Sequence, residues 1–381
     1  MYPLSKKGYE KMGKRLLLVG GGHAHMMTLA AIHQFVEKGY EVSVIGPSVY
    51  HYYSGMGPGM LGKVYKPEEI RFATKHLVEK KGGKFILGKA ARVDPEKKIV
   101  YLESGEEVLY DVVSFNSGSQ VLKMDIEGNT ENIYTVKPIE NLQNAQIRIE
   151  ELLLKQPIRI GVIGGGPSAA EIAGNVWRIG SNFKKNALKI MIFAGNTFMD
   201  RFEEKIREKA IKSLSHRGIK IFERTFVNKI KSGSVILKTG EEYEFDFLFL
   251  ALGIKPSAIF SDSKLPTGPD GGLLVNKYLQ STTYPDIFGG GDCIYFKDQP
   301  LTKVGVYAVR QNPVLLHNLM AQLEGAALKP FDPGGDYLQI FNMGDGTGIF
   351  QKKGLIFGGK PAFWIKDYID RKFMKKFQAF E

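Results

Sequence analysis

One cysteine, Cys293, occurs in 381 residues. That scarcity excludes a structural disulfide framework and redox exchange by a cysteine pair, and it points to a reducing, cytoplasmic setting. No apolar run reaches the roughly 20 residues that a spanning helix needs. The opening MYPLSKKGYEKMGKR is basic with no apolar core behind it, so it does not read as a secretory signal. It reads instead as a tail over residues 1–14, or as an upstream extension with initiation at Met12. No repeat of solenoid period is present. No metal site is expected either: His23 and His25 diverge on a helix, and no cysteine or acid lies beside them to complete four ligands.

What is present is a globular composition, 43% hydrophobic and 24% charged, long enough for two domains or three. Glycine is in excess, with 44 residues against a usual share of about 7%. Many glycines cluster after apolar runs, as functional turns would. The formal charge of +12 favours an acidic partner. The basic residues are dispersed and the glycine turns already account for an anion preference, so nucleic acid is not expected.

The stretch RLLLVGGGHAHMM predicts a strand over 15–19, a glycine turn at 20–22 and a helix from about 24 to 38, stopped by Gly39. The strand YEVSVI follows, from Tyr40 to Ile45. A second unit, IRIGVIGGGPSAAEIAGNV from Ile158 to Val176, repeats the arrangement and leads to the strand LKIMIF. In this context glycines let the backbone turn tightly and approach a pyrophosphate at the positive end of a helix. Two such units predict two nucleotides. The second carries Gly164, Gly166 and Ala169 in the three pattern positions, and a small third residue suffices for the helix to pack on the strand. The first has His25 there, tolerable if its side chain points off the sheet. His23 is expected to hydrogen-bond near the phosphates or the ring. The acid usually found about 20 residues on, at the end of the second strand, is missing from both units. Arg201 is an open candidate for a phosphorylated ribose, or an ordinary surface arginine.

Further matches follow in order: YDVVSFNSGS, Tyr110 to Ser119; FDFLFLALGIKPS, Phe245 to Ser257; YPDIFGGGDC, Tyr284 to Cys293; and the helical KVGVYAVRQNPVLLHNLMAQL from Lys303. Together these resemble the two-dinucleotide-domain flavoproteins of the pyridine nucleotide–disulfide reductase superfamily. Within it the chain is similar to the type II NADH:quinone dehydrogenase and sulfide:quinone reductase branch. GGGHAH, YYSGMGPGM, VGVYAVRQNPVLLHNL and FWIKDYIDRKFMKKF resemble the subgroup sometimes fused to selenophosphate synthetase. The resemblance implies an α/β fold with two Rossmann-like domains, FAD on the first unit and NAD(P)H on the second, with Asp292 bonding the ribityl chain. Cofactor contacts are expected at Gly20, Gly22, His23, Ala24, Ser54, Ser117, Gly118, Gly164, Gly166, Pro167, Gly253, Gly291, Asp292 and Gly305. The expected boundaries are 15–125 and 270–335 for the FAD domain, 155–265 for the NAD(P) domain and 336–381 for a C-terminal segment.

Two departures qualify the resemblance. Disulfide and sulfide:quinone reductases carry cysteines beside the flavin, whereas the comparable loop here, Tyr52 to Pro58, offers Ser54, and Cys293 reads as a small packing residue. Type II dehydrogenases line the quinone site with Ala-Gln-x-Ala-x-Gln, whereas this chain has Gly305-Val306-Tyr307-Ala308-Val309-Arg310. Tyr307 and the adjacent Gln311 are the candidates there, and Glu171 is the candidate on the nicotinamide side, unless it is an ordinary first-turn acid.

The tail FWIKDYIDRKFMKKF, 363–377, spaces Ile365, Ile369, Phe373 and Phe377 four apart, with Trp364 and Tyr368 beside them and Lys366, Arg371, Lys372, Lys375 and Lys376 elsewhere. Such a helix suits a membrane interface, or packs on the chain's own body or on a second copy. The expected function is an FAD-dependent NAD(P)H dehydrogenase passing electrons to a quinone-type acceptor at the cytoplasmic membrane face. The rival readings are a soluble reductase serving a redox protein or selenium compound, and a non-enzymatic flavin-holding interaction protein. Hydride transfer asks for no protein nucleophile, because the flavin supplies the reactive atom.

Overall fold

The apolar runs that stop in glycine are the central strands of two parallel sheets in a computed structural model that describes residues 13–122, 124–183 and 187–381. The expected N-terminal tail therefore lies, through residue 12, outside the described residues. The chain divides into two units. One comprises residues up to Val49 with Thr74–Gly118 and Ser257–Asp332; the other comprises Tyr50–Ala73, Ser119–Pro256 and Pro333–Glu381.

In the first unit the strand order is Ile287–Gly289, Val112–Phe115, Arg15–Val19, Glu41–Gly46 and Lys84–Leu87, all parallel. Leu16, Leu17, Leu18, Val112, Val113 and Phe115 are buried. A strand covered on both faces carries an unbroken apolar run rather than an alternating one. The expected single helix 24–38 is instead a short 3-10 turn, His23–His25, followed by two short helices, Met26–Ala30 and Ile32–Val36. The break falls at Ala31, whose φ of −99° and ψ of 11° leave the helical region. Apolar periodicity reports the buried face, not the continuity of the hydrogen-bond ladder. The long helix Gly305–Glu324 ends at Gly325, with φ +74°, a left-handed stop that glycine adopts freely.

The second unit repeats the plan with Ile133–Thr135, Phe247–Leu250, Ile158–Ile163, Leu188–Phe193 and Lys220–Phe222, again parallel throughout. Helix Pro167–Gly180 follows its glycine turn. An antiparallel hairpin sheet, Gln339–Asn342, Gly348–Lys352 and Leu355–Gly359, leads into the final helix Lys360–Gln378. Two segments expected in the FAD domain belong to this unit instead. Residues 50–73 do so because Phe72 meets Phe373 and Phe377 of the final helix, edge-on at 6.4 Å each. Gln120–Val121 does so because it pairs antiparallel with Ile254–Lys255. Contacts between residues this far apart in sequence leave no mark in local pattern.

The same electrostatic device opens both sheets. Arg15 and Arg159 begin the central strands, and Asp111 and Asp246 precede the neighbouring ones. Asp111 accepts the Arg15 backbone amide at 2.7 Å and its guanidinium at 3.0 and 3.2 Å. Asp246 does the same for Arg159 at 2.7, 3.1 and 3.1 Å. The Arg15 hydrogen bond holds the Asp111 carboxyl below its ordinary pKa. Its contribution is therefore complete above the unfolded value near 4 and is lost as pH falls through the lower folded value. Asp111→Ala should cost about 1–3 kcal/mol at neutral pH, read by urea denaturation. The gap to wild type should narrow as pH falls below the unfolded carboxyl value near 4.

Candidate functional site

In the first unit Gly20 leaves strand Arg15–Val19 with its amide on the Ile45 carbonyl at 2.8 Å. Gly22, in extended conformation, caps the 3-10 turn. His25 does not point off the sheet. It is fully buried, with Nδ1 2.7 Å from the Gly20 carbonyl and Nε2 2.8 Å from Ser114 Oγ. A carbonyl only accepts, so Nδ1 carries the proton and Nε2 accepts from the serine hydroxyl. Burial pushes the imidazole pKa down to about 4, so the ring is neutral and both nitrogens are engaged within the protein. The residue in the third-glycine position thus braces the turn from beneath.

Ala24 donates its amide to Asn116 Oδ1 at 3.1 Å, and Ser117 and Gly118 continue the loop from Asn116. On the far side, Gly291 has φ +74° and donates its amide to Gln311 Oε1 at 2.7 Å. Gln311 is 1% exposed, so its carboxamide oxygen is committed to holding this turn. The reason is tertiary: helix Gly305–Glu324 lays Gln311 against the Gly290–Asp292 corner. Tyr307 lies one turn earlier on that helix, with the Arg310 guanidinium 5.8 Å from its ring centre. Asp292, Tyr307 and Gln311 line one small cavity with Lys303 and Val304, and Gly305 opens the helix. Cys293 is buried, its thiol directed at the Phe115 and Gly290 carbonyls at 3.4 and 3.3 Å. Burial raises its pKa, which disfavours the reactive thiolate.

The glycine corners fit the expected cofactors. In the second unit Gly164 has φ +144°, and a Cβ there would lie 2.1 Å from the Ala251 carbonyl oxygen. The backbone of the turn therefore passes against the end of the neighbouring strand. Gly166 caps helix Pro167–Gly180, with Pro167 in its first turn, and a Cβ on Gly166 would meet nothing within 4 Å. Such a helix start, with room at its cap, suits a phosphate. Gly253 continues the loop after strand Phe247–Leu250. Arg201 stands exposed near the end of the second strand, and no acid occupies that strand end.

Glu171 is not a solvent-facing first-turn acid. Its Oε1 accepts the Asn342 backbone amide at 2.8 Å, and desolvation raises its pKa to about 7 against the opposing pull of Lys366. Lys366, on the final helix, is itself buried. Its ammonium donates to the Gly55 carbonyl at 2.8 Å and to Asp370 Oδ2 at 2.7 Å. Burial alone would lower the lysine pKa, but Asp370 and Glu171 outweigh it and the net shift is upward. Tyr53 donates its hydroxyl to Asp370 Oδ1 at 3.0 Å, and burial with the Asp370 charge raises its pKa. Ser54 sits in the 3-10 turn beside Gly55. Lys366, Asp370, Tyr53 and Asn116 were not legible as site residues. Lys366 and Asp370 do stand four apart on one helix face, but nothing in the sequence says that this face is inward.

That face corrects the expected amphipathic pattern. Ala362, Lys366, Asp370, Met374 and Phe377 are buried, and Phe373 stacks near Tyr53 at 4.9 Å. Trp364 and Tyr368 are 64% and 66% exposed, with Ile365 and Ile369 exposed beside them. Four-residue steps advance about 400° in a helix of 3.6 residues per turn, so Ile365 and Phe377 lie on different sides. No helix among the described residues is long and apolar enough to cross a membrane.

The profile of the pyridine nucleotide-disulphide oxidoreductase family matches residues 14–322. An Arabidopsis thaliana mitochondrial internal alternative NAD(P)H-ubiquinone oxidoreductase is 22% identical over 313 residues, covering 73% of this chain and 61% of that protein. The chain thus spans under two thirds of that relative's length. A ferredoxin–NAD(+) reductase component of a 3-phenylpropionate/cinnamic acid dioxygenase, from Photorhabdus laumondii, is 26% identical, covering 84% and 80%. Among solved structures, NDH2 from Plasmodium falciparum in complex with NADH superposes with a TM-score of 0.80 at 14% identity, covering 96% of this chain and 97% of that one. At that identity the likeness is one of fold.

Gly164→Ala tests the second turn. With φ +144° and a Cβ 2.1 Å from the Ala251 oxygen, the variant should lose about 2 kcal/mol or more of stability and bind NAD(P)H more weakly, as isothermal titration would show.

Proposed function

The chain belongs to the pyridine nucleotide-disulphide oxidoreductase family, and from that premise we propose that it oxidises NAD(P)H and delivers the electrons to a quinone-type acceptor. It is an oxidoreductase using FAD and NAD(P)H, which sets aside the non-enzymatic reading. Bound FAD supplies the hydride-accepting and electron-passing chemistry. We place the FAD on the first unit, at Gly20, Gly22, His23, Ala24, Ser117, Gly118, Gly291, Asp292 and Gly305. NAD(P)H is placed on Gly164, Gly166, Pro167 and Gly253.

The observation that carries the acceptor reading is Glu171, a half-buried residue whose desolvated carboxyl has its pKa raised to about 7 within the field of the buried Lys366. Reducing a quinone with NAD(P)H consumes one proton beyond the hydride, whereas a one-electron redox protein takes no proton. A carboxyl poised at neutral pH suits the first task. The lone buried Cys293 supplies no internal disulfide to act as acceptor, so the electrons go outward. Tyr307 remains the candidate on the acceptor side. The exposed Trp364, Ile365, Tyr368 and Ile369 on the final helix, with Lys372, Lys375 and Lys376 further along it, support a peripheral seat on an anionic membrane at the cytoplasmic face. A second copy is the rival occupant of that strip. A soluble redox protein or a selenium compound is the rival acceptor, the latter favoured by the subgroup resemblance of GGGHAH and YYSGMGPGM.

Anaerobic titration with NADH and then NADPH should bleach the flavin band and identify the donor. Glu171→Gln should leave that half-reaction within a few-fold but slow quinone reduction by about 100-fold. In the wild type the quinone step should fall as pH rises through about 7, where the acid form is lost, and the variant should lack this inflection. Equal rates with ferredoxin and quinone, and no effect of Glu171→Gln, would overturn the acceptor assignment. On vesicles containing anionic lipid, the double variant Trp364→Ala/Tyr368→Ala should bind about tenfold or more weakly. Concentration-dependent dimerisation that this variant abolishes, with no vesicle binding by wild type, would assign the strip to a second copy.

A further inference from the structure

We propose that Asn116 is the positioning residue that holds the two flavin-binding turns in register; this rests on FAD lying on the glycine turns of the first unit. Asn116 is the first residue beyond strand Val112–Phe115, which runs between Arg15–Val19 and Ile287–Gly289. Its side chain therefore emerges between the turns that end both neighbouring strands. Its Oδ1 accepts the Ala24 amide at 3.1 Å, and its Nδ2 donates to the Gly290 carbonyl at 2.7 Å. The backbone on both sides closes around it. A Cβ at Gly22 would lie 2.3 Å from Asn116 Oδ1, and one at Gly291 would lie 2.4 Å from Nδ2.

The carboxamide is the side chain this position asks for, because the two turns offer one donor and one acceptor. An amide supplies the complement of each in one rigid plane, and Asn116 is 7% exposed, so water does not compete freely. Other buried side chains tie down the same corner. Gln311 accepts the Gly291 amide and Asn312 accepts the Met27 amide, at 2.7 and 2.8 Å, while His25 braces Gly20 against Ser114. Gly22, Ala24 and Gly291 thus keep their geometry through side chains that belong to the protein rather than to the cofactor. A site ordered before binding loses less freedom when the ligand arrives and holds it longer.

The test is the rate of FAD release from the full-length holoprotein, followed by flavin fluorescence after dilution into excess competitor, together with thermal melting. Asn318→Ala is the comparator: Asn318 is buried on the same helix as Gln311 but bonds the Tyr278 and Lys329 backbone. Asn116→Ala should release FAD about tenfold or more faster, whereas Asn318→Ala should lower the melting temperature and leave release within about twofold of wild type. If Asn116→Ala does not fold, Asn116→Asp is read instead. It keeps the shape and the acceptor for Ala24 but sets an oxygen against the Gly290 carbonyl, and it should release FAD faster too. Release at the wild-type rate from the Asn116 variant, or equal acceleration in the Asn116 and Asn318 variants, would overturn the proposal. Asp292→Ala separates this from the placement of FAD: if that variant also retains FAD at the wild-type rate, the site assignment itself fails.

Discussion

Two facts about parallel sheets govern most of this protein. A strand buried on both faces, such as Leu16–Val19 or Ile160–Ile163, has no room for chemistry along its length, so polar function is displaced to the loops where strands end. Adjacent parallel strands end side by side, and their loops press backbone against backbone. The Gly164 Cα lies where any side chain would collide with the Ala251 carbonyl. Gly20 meets the Asn116 carbonyl in the same way in the first unit, where a Cβ would lie 2.3 Å from that oxygen. Glycine at these corners answers a packing demand of the sheet and leaves backbone amides near a helix start. Fold and nucleotide affinity have one origin here.

The polar groups that tie the sheets and turns together divide by what they do. Asp111 and Asp246 sit at the beginning of their strands, away from the glycine ends, and each gathers an arginine fork and a backbone amide; they hold the sheets together. His25, Asn116, Gln311 and Asn312 are neutral donors and acceptors at the glycine ends, where a pyrophosphate would make an extra charge costly. Glu171, Lys366 and Asp370 are the charged exception. Two carboxyls and one ammonium share this site in the second unit, and desolvation raises the Glu171 pKa to about 7 against the pull of Lys366. Burial of this kind is expensive and is characteristic of functional positions.

The final helix contributes to both faces of the problem. Its inner side supplies Lys366 and Asp370 to Glu171 and Tyr53, and Phe373 and Phe377 to the aromatic cluster around Phe72. Its outer side leaves Trp364 and Tyr368 in solvent. A contact made by the outer strip is therefore separated from the buried carboxyls by the thickness of one helix, which gives the proposed membrane seat a physical connection to the site in its own unit.

The sequence by itself determined the two strand–glycine–helix units, the excess of glycine at strand ends and the single cysteine. Each is written in residues that are neighbours in the chain, where apolar periodicity and steric demand act locally. Tertiary structure alone decided that His25 turns inward onto Ser114, that Gln311 spends its oxygen on Gly291, and that residues 50–73 pack with the C-terminal helix. It also decided which side of that helix is buried. The partners in these contacts are separated by 20 to more than 300 residues, as Gln311 is from Gly291 and Lys366 from Gly55. A side chain's hydrogen-bonding capacity is set by its chemistry, but which groups it meets is set only when the strands have assembled.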